Sequence, residues 1–556
     1  MKKLVFIICC LVSQVAFCQT PGWANKARKG IFSIITYDKT NKILNTGNGF
    51  FISEQGVALS DFSTFKGADH AVIVDSDGKQ MPIESILGIN SIYDVVKFQV
   101  RVNKKIQAFS VANKKSQIGE TVYLLPYSTQ KDDICRSGSI EKVDSIENDN
   151  QYYTLNLRTT DKTVSCPIMN AGGEVVGIVQ KGTASENEKS YAVGALLGKN
   201  LEIPPLGTND YPYTDTAIKK ALPSDENKAL VALFMNATGD QKTYENMLND
   251  FISRYPNNSE GYLRRAQFNA NYRDESHFAQ AETDLDKALK LAQKKDDVLY
   301  NFSKIVYTND ILEPPFTYKD WTLDKAIELI DKAKAINDMS IYEQHKGNIY
   351  FAKKDYQKSY DSFNAVNNST IASAESYLSA AQCKELLGQP AEAIALADTA
   401  VAKAGNQILI YLDERAQMKS RLGKARDAVK DFNEIYDKMN GQVNSNFFYN
   451  RSKAEMQSKM FQQGIEDIEK AVELSPDNTL YLAEQASTYI RFNRMDEAMT
   501  AARKAIDSNP NFADSYRLLG YCQAVKGMKD EAIKNLTKAK ELGDDKAEGI
   551  IEKYCK

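Results

Sequence analysis

The stretch YRLLGYCQAVKGMKDEAIKNLTKA, residues 516–539, decides the fold of the larger part of this chain. Its small residues Gly520 and Ala532 stand twelve positions apart, and Leu536 and Ala539 follow Ala532 at steps of four and three. A small side chain on each of two consecutive helices lets their backbones approach, while the bulkier residue beyond fills the groove against the next pair. The arrangement recurs upstream. Ala393, Ala428, Gly464, Ala498 and Ala532 are spaced by 35, 36, 34 and 34 residues, each with a small residue twelve positions before it: Ala381, Ala416, Ser452, Ala486 and Gly520. Pro476 and Pro510 close two units. Self-similarity at this period marks a stacked array in which no single pair buries its own apolar face.

The frame extends backward through Gly347 with Ser359, Ala326 with Ile330, Ala266 with Ala281, and Tyr244 with Leu248, which predicts about nine helical hairpins. Tyr516, Leu519, Gly520, Ala532, Leu536 and Ala539 resemble the tetratricopeptide repeat, and the resemblance spans residues 222–556. A proline-containing insertion at 311–321 and the atypical Tyr244 unit depart from it. The resemblance implies an all-α solenoid whose first helices line a concave groove for an extended polypeptide. Within that frame the residue after each small position should face the groove: Gln267, Asn348, Gln382, Gln417, Lys453, Ser487 and Tyr521. Tyr449 and Arg517, one turn earlier, should join them. All of the first set form hydrogen bonds, which suits backbone amides, although a solvated helix face has the same composition.

Before this region the period changes. Short apolar runs at 31–37, 48–53, 71–74, 95–100, 121–125, 152–157 and 175–180 are separated by turns such as Asp75-Ser76-Asp77-Gly78 and Asn170-Ala171-Gly172-Gly173. Many short strands with glycine turns predict a barrel or sandwich. Pro204-Pro205 interrupts both patterns, so residues 202–221 read as a linker between two domains.

Thr46-Gly47-Asn48-Gly49-Phe50-Phe51, Asp94 followed by Val95-Val96-Lys97-Phe98, Ser137-Gly138-Ser139 and Pro167-Ile168-Met169-Asn170 make residues 28–201 similar to a trypsin-like serine protease of the high-temperature-requirement type. The expected fold class is therefore multidomain: an all-β trypsin-like double barrel, then the repeat solenoid. The resemblance implies a catalytic triad, and two members are missing. Ser63 occupies the position of the general-base histidine, Val164 that of the nucleophile, and Asp94 alone survives. A triad acts as a unit, so the expectation is a pseudoprotease. The alternative is an active exported serine-type endopeptidase with a rearranged site, regulated by the repeats, in which Ser165 or Cys166 attacks and His70 serves as base.

Composition narrows the classes further. Lys+Arg 70 against Asp+Glu 73 supplies no cationic excess for nucleic acid. Three histidines, His70, His277 and His345, lie far apart and offer no zinc site, so no metal and no cofactor are expected. Asp75-Ser76-Asp77-Gly78 lacks the later ligands of a calcium loop. Lys2-Lys3, the apolar run 4–12 and Ala16-Phe17-Cys18 read as a signal peptide over residues 1–18, predicting export to the periplasm of a Gram-negative bacterium; secretion or a lipid anchor on Cys18 are the alternatives. Five cysteines would remain, an odd number, with Cys135 and Cys166 as a candidate disulfide. The expected whole is an exported scaffold that binds other proteins or extended peptides and has no transmembrane segment.

Overall fold

The computed structural model describes residues 20–128, 135–182, 189–204, 207, 211–314 and 316–555. The signal-peptide reading, with Cys18, lies outside these. Two closed six-stranded barrels come first. Barrel 1 comprises β1 (Ile31–Tyr37), β2 (Ile43–Phe51), β3 (Val57–Ser60), β4 (His70–Val74), β5 (Gln80–Asn90) and β6 (Val95–Val100) in the order β1-β2-β3-β6-β5-β4. Barrel 2 comprises β7 (Thr121–Leu124), β8 (Arg136–Ile146), β9 (Asn150–Asn156), β10 (Pro167–Met169), β11 (Val175–Val179) and β12 (Ser190–Gly194) in the order β10-β11-β12-β9-β8-β7.

Alternation explains how one strand serves two cores. Phe32 and Ile34 of β1 point into barrel 1 with Phe51, Phe98 and Val100, while Ile31 joins Phe50, Leu59, Val95, Val175, Ile178 and Val193 in the cluster that joins the barrels. Strand β11 is buried on both faces, so its sequence is a continuous apolar run. Gly47 of β2 permits a close approach: a Cβ there would lie 2.4 Å from Thr64 Oγ1.

The described residues of the 202–221 segment are not a free linker. Ile203, Tyr213 and Ile218 are buried in the core of barrel 1. Lys220 forms a parallel bridge with Ile86, whose N–H donates to Lys219 O, and Ala217 N–H and Thr216 Oγ both donate to Ala68 O. The Pro-Pro break stops both periodic patterns, but the segment beyond it satisfies its backbone on the barrel. The first compact unit accordingly runs through Phe268, with 286–291, and the second takes 269–285 and 292–555.

Nineteen helices follow the barrels among the described residues, from Glu226–Asn236 to Lys546–Tyr554, in sequence order nine hairpins and a last helix. The positions anticipated from the 34–36-residue period are buried: Ala381 and Ala393, Ala416 and Ala428, Ser452 and Gly464, Ala486 and Ala498, Gly520 and Ala532. A Cβ on Gly520 would meet Leu536 Cγ at 2.7 Å, the close helix approach in physical form. Where the small residue is serine, its hydroxyl donates across the pair: Ser452 to Gly464 O at 2.6 Å and Ser359 to Gly347 O at 2.9 Å. The insertion at 311–321 carries Tyr318 and Trp321, which pack on Phe278 at 5.4 and 5.0 Å between ring centroids.

Candidate functional site

Between the barrels lies a cleft of about 310 Å³ lined by Asn48, Asp61, Ser63, Asp94, Val164 and Lys181 among others. Each wall follows from local sequence. Asp61 caps the short 3-10 helix Phe62–Phe65, accepting from Thr64 N at 3.0 Å and from Thr64 Oγ1 at 2.7 Å. That turn places Ser63 at the surface of the cleft, and Ser63 N–H donates to Asp94 Oδ1 at 2.7 Å. Asp94 precedes β6 in a left-handed conformation, φ +50°. Burial, and after it the charge of Asp61, hold its carboxyl above the ordinary value, and the bonds from Ser63 offset part of this.

From the other barrel, the 3-10 turn Asp161–Thr163 leads into Val164 and Ser165. Ser165 is wholly buried with φ +65°. Its hydroxyl donates to Asp61 Oδ1 at 2.5 Å, on the same carboxylate that caps the Phe62–Phe65 turn. Asn48 of β2 completes the seam: its amide donates to Lys162 O at 2.9 Å and to Val164 O at 3.0 Å. Three backbone donors of the turn are spent within the chain, Thr163 N–H on Thr160 O, Ser165 N–H on Val179 O and Cys166 N–H on Thr163 O.

The three sequence-identified positions Ser63, Asp94 and Val164 thus line one cleft. The histidines do not join them. His70 lies on β4, stacked on Tyr37 and bonded to Asp69 at 3.2 Å; His277 bonds Asp274 at 2.6 Å; His345 lies 3.0 Å from Ser303 Oγ. Cys166 is a fully buried thiol, pushed up to about 12 by burial, and the bridge to Cys135 is not formed. Its side chain packs into the core of barrel 2 with Ile168 and Val176, which is why the two sulfurs do not meet. Asp61 is not among the residues singled out in the sequence, and Asn48 enters there only as part of the Thr46–Phe51 motif; an Asp three residues before Thr64 is the cap signal that marks Asp61.

The candidate groove positions divide. Asn348 and Lys453 are exposed; Gln382, Gln417, Ser487, Tyr521 and Arg517 are half-buried in the second unit, and Gln267 is half-buried in the first. Two need correction. Tyr449 is buried, its ring 5.0 Å from that of Tyr481, because the apolar neighbour helix covers it. Arg517 is engaged by Asp514 and by Asp544 at 2.7 Å, so its charge is committed to its own fold. Gln417 bonds Asp413 at 2.8 Å.

A trypsin-like double barrel followed by helical repeats is the class this geometry defines. Residues 47–178 match the family model of the trypsin-like peptidase domain, and residues 445–478 and 483–547 match tetratricopeptide-repeat models. The N-terminal region is a trypsin-like domain and the helices that follow are tetratricopeptide repeats. Among curated proteins the chain is similar to Small glutamine-rich tetratricopeptide repeat-containing protein 2 of Saccharomyces cerevisiae, 26% identical over 18% of this chain and 29% of that one. It is 21% identical to DnaJ homolog subfamily C member 7 of Homo sapiens over 40% of this chain and 47% of that one. The chain spans less than half the length of each of these relatives.

Proposed function

We propose that this chain is an exported protein-binding scaffold whose trypsin-like domain does not cleave peptides. One observation carries the reading: the surviving aspartate, Asp94, accepts from the backbone N–H of Ser63, and no imidazole of the three histidines stands between it and a hydroxyl. A serine hydroxyl takes no proton near neutral pH, so a nucleophile here has no general base. Ser165 is buried and donates to Asp61, whose other oxygen is occupied by Thr64. Cys166, with its thiol raised by burial, forms little of the thiolate that attack requires. The repeats support polypeptide partners, with exposed Lys453 and Asn348 as contact positions, and the basic and apolar start of the sequence supports export.

Labelling the purified protein with a fluorophosphonate serine-hydrolase probe, alongside turnover of unfolded casein, tests the reading. Neither signal is expected. Labelling that disappears in Ser165→Ala would replace it with the second reading, an endopeptidase rebuilt around the short Ser165–Asp61 bond.

A further inference from the structure

A second cavity, of about 450 Å³, lies within the first compact unit, between the barrel-bound segment 213–223 and the helices Glu226–Asn236 and Gln241–Arg254. Its size falls in the ~300–1,000 Å³ range of small-molecule sites. Lys219, Lys220, Leu222, Asn236, Thr243 and Met247 line it, and none of the described residues lining it is acidic. Lys220 is half-buried, and its ammonium donates to the backbone oxygen of Thr216. Among the described residues no carboxylate lies within ion-pair distance of it, and burial pushes the amine below its ordinary value. Lys219 reaches Asp250 only at 3.8 Å.

A partly desolvated ammonium without a counter-charge is costly, and a ligand that supplies the charge recovers that cost. Leu222 and Met247 offer an apolar floor beside it, and Thr243 and Asn246 bring polar groups to the lining. We propose that this cavity binds a small organic anion, its negative group on Lys220 and its apolar body against Leu222 and Met247. The site is separate from the cleft between the barrels and does not depend on whether that cleft is catalytic.

The probe is the fluorescent aryl sulfonate 1-anilinonaphthalene-8-sulfonate, titrated into the full chain at neutral pH beside its uncharged relative N-phenyl-1-naphthylamine. One saturable site for the sulfonate is expected, with the neutral dye bound at least tenfold more weakly. Lys220→Met, which keeps the apolar stem, should weaken sulfonate binding about tenfold or more, the worth of one charge-assisted hydrogen bond. Thr243→Trp, an exposed position, should block the cavity, with the thermal melt confirming that the fold persists. Equal binding of the two dyes, or sulfonate binding unchanged in both variants, overturns the proposal.

Discussion

The hydroxyl of Ser165 donates to Asp61 Oδ1 at 2.5 Å across a sequence separation of 104 residues, tying the turn of barrel 2 to the 3-10 cap of barrel 1. In this cleft the serine is therefore a structural donor. Asp61 collects Ser165, Thr64 Oγ1 and Thr64 N, and it is nearly inaccessible to water. A buried carboxylate is tolerated where its lone pairs are filled in this way.

Ser165→Ala should consequently destabilise the first unit by about 2 kcal/mol, the worth of a buried hydrogen bond to a charged group. Urea unfolding followed by barrel fluorescence measures it. Casein turnover in the same preparation should stay at the level of buffer alone.

Restoring the two absent side chains should not restore a protease. In Ser63→His with Val164→Ser, the imidazole gains Asp94 as a neighbour, but the turn Lys162–Cys166 has no glycine to shape an oxyanion hole and is held by the Asn48 amide on Lys162 O and Val164 O. Loss of a single oxyanion donor costs about 10²- to 10³-fold in rate. Fluorophosphonate labelling of the double variant should remain a trace; labelling at the rate of an ordinary serine protease would show that the turn rearranges on demand.

The second unit carries a titratable fault. Arg415 pairs with Asp431 at 2.7 Å, and Lys419 completes the site at 2.9 Å. Thirty-six residues on, Arg451 pairs with Asp467 at 2.6 Å, but the counterpart of Lys419 is Glu455, buried and with Oε2 unpartnered. Burial first, then the charge of Asp467, raises the Glu455 carboxyl to about 8. The folded state thus holds a proton that the unfolded chain releases above about 4.5. The contribution of this group to stability is greatest below that pH, falls as pH rises toward about 8, and is flat beyond it. Glu455→Gln should remove the decline, leaving the variant roughly 1–3 kcal/mol more stable than the parent at pH 9 and nearly equal at pH 4. Thermal melts across this range decide it.

Lys453→Glu and Arg517→Glu should behave differently. Lys453 is exposed, its ammonium 5.1 Å over the Tyr449 ring, so reversal should leave the melt nearly unchanged while lowering the yield of partners crosslinked in the native compartment. Reversal at Arg517 strands Asp544, which is nearly buried, and should cost about 2 kcal/mol or more. Unchanged capture in Lys453→Glu would remove the first helices from the partner surface.

A chain ending at residue 201 should fail to fold stably, whereas one ending at residue 268 should melt cooperatively. Truncation at 201 strips Ile203, Tyr213 and Ile218 from the barrel 1 core. Each such side chain is worth roughly 1.5–3 kcal/mol, and a domain has about 5–15 kcal/mol in all. Calorimetry of the two truncations distinguishes a linker from an integral strap.

The helical repeats were legible almost residue by residue, because close helix contact demands small side chains at a fixed step and leaves few substitutes for Gly464 or Gly520. Strands were legible where a run was apolar, as in β1, β6 and β11, and turns where Asp75 or Asn170 capped its own backbone. The long strands β5 and β8 were not anticipated. Their burial alternates irregularly, with bulges between Ile83 and Ser85 and between Ile140 and Lys142, so no clean period of two survives. Tyr449 misled because a polar tip says nothing about the ring beneath it, which the next helix covers.

Sequence alone established the repeat period and the order of the two regions, since these depend only on which side chain occupies which position. Tertiary structure alone decided that Ser165 is a donor to Asp61, that Ile203, Tyr213 and Ile218 fill the core of barrel 1, and that Arg517 serves Asp544. Each is a pairing between groups distant along the chain. A local pattern carries the energy of a helix face or a turn, whereas the partner of a buried polar group is chosen only when the folded backbone brings the two within hydrogen-bond reach.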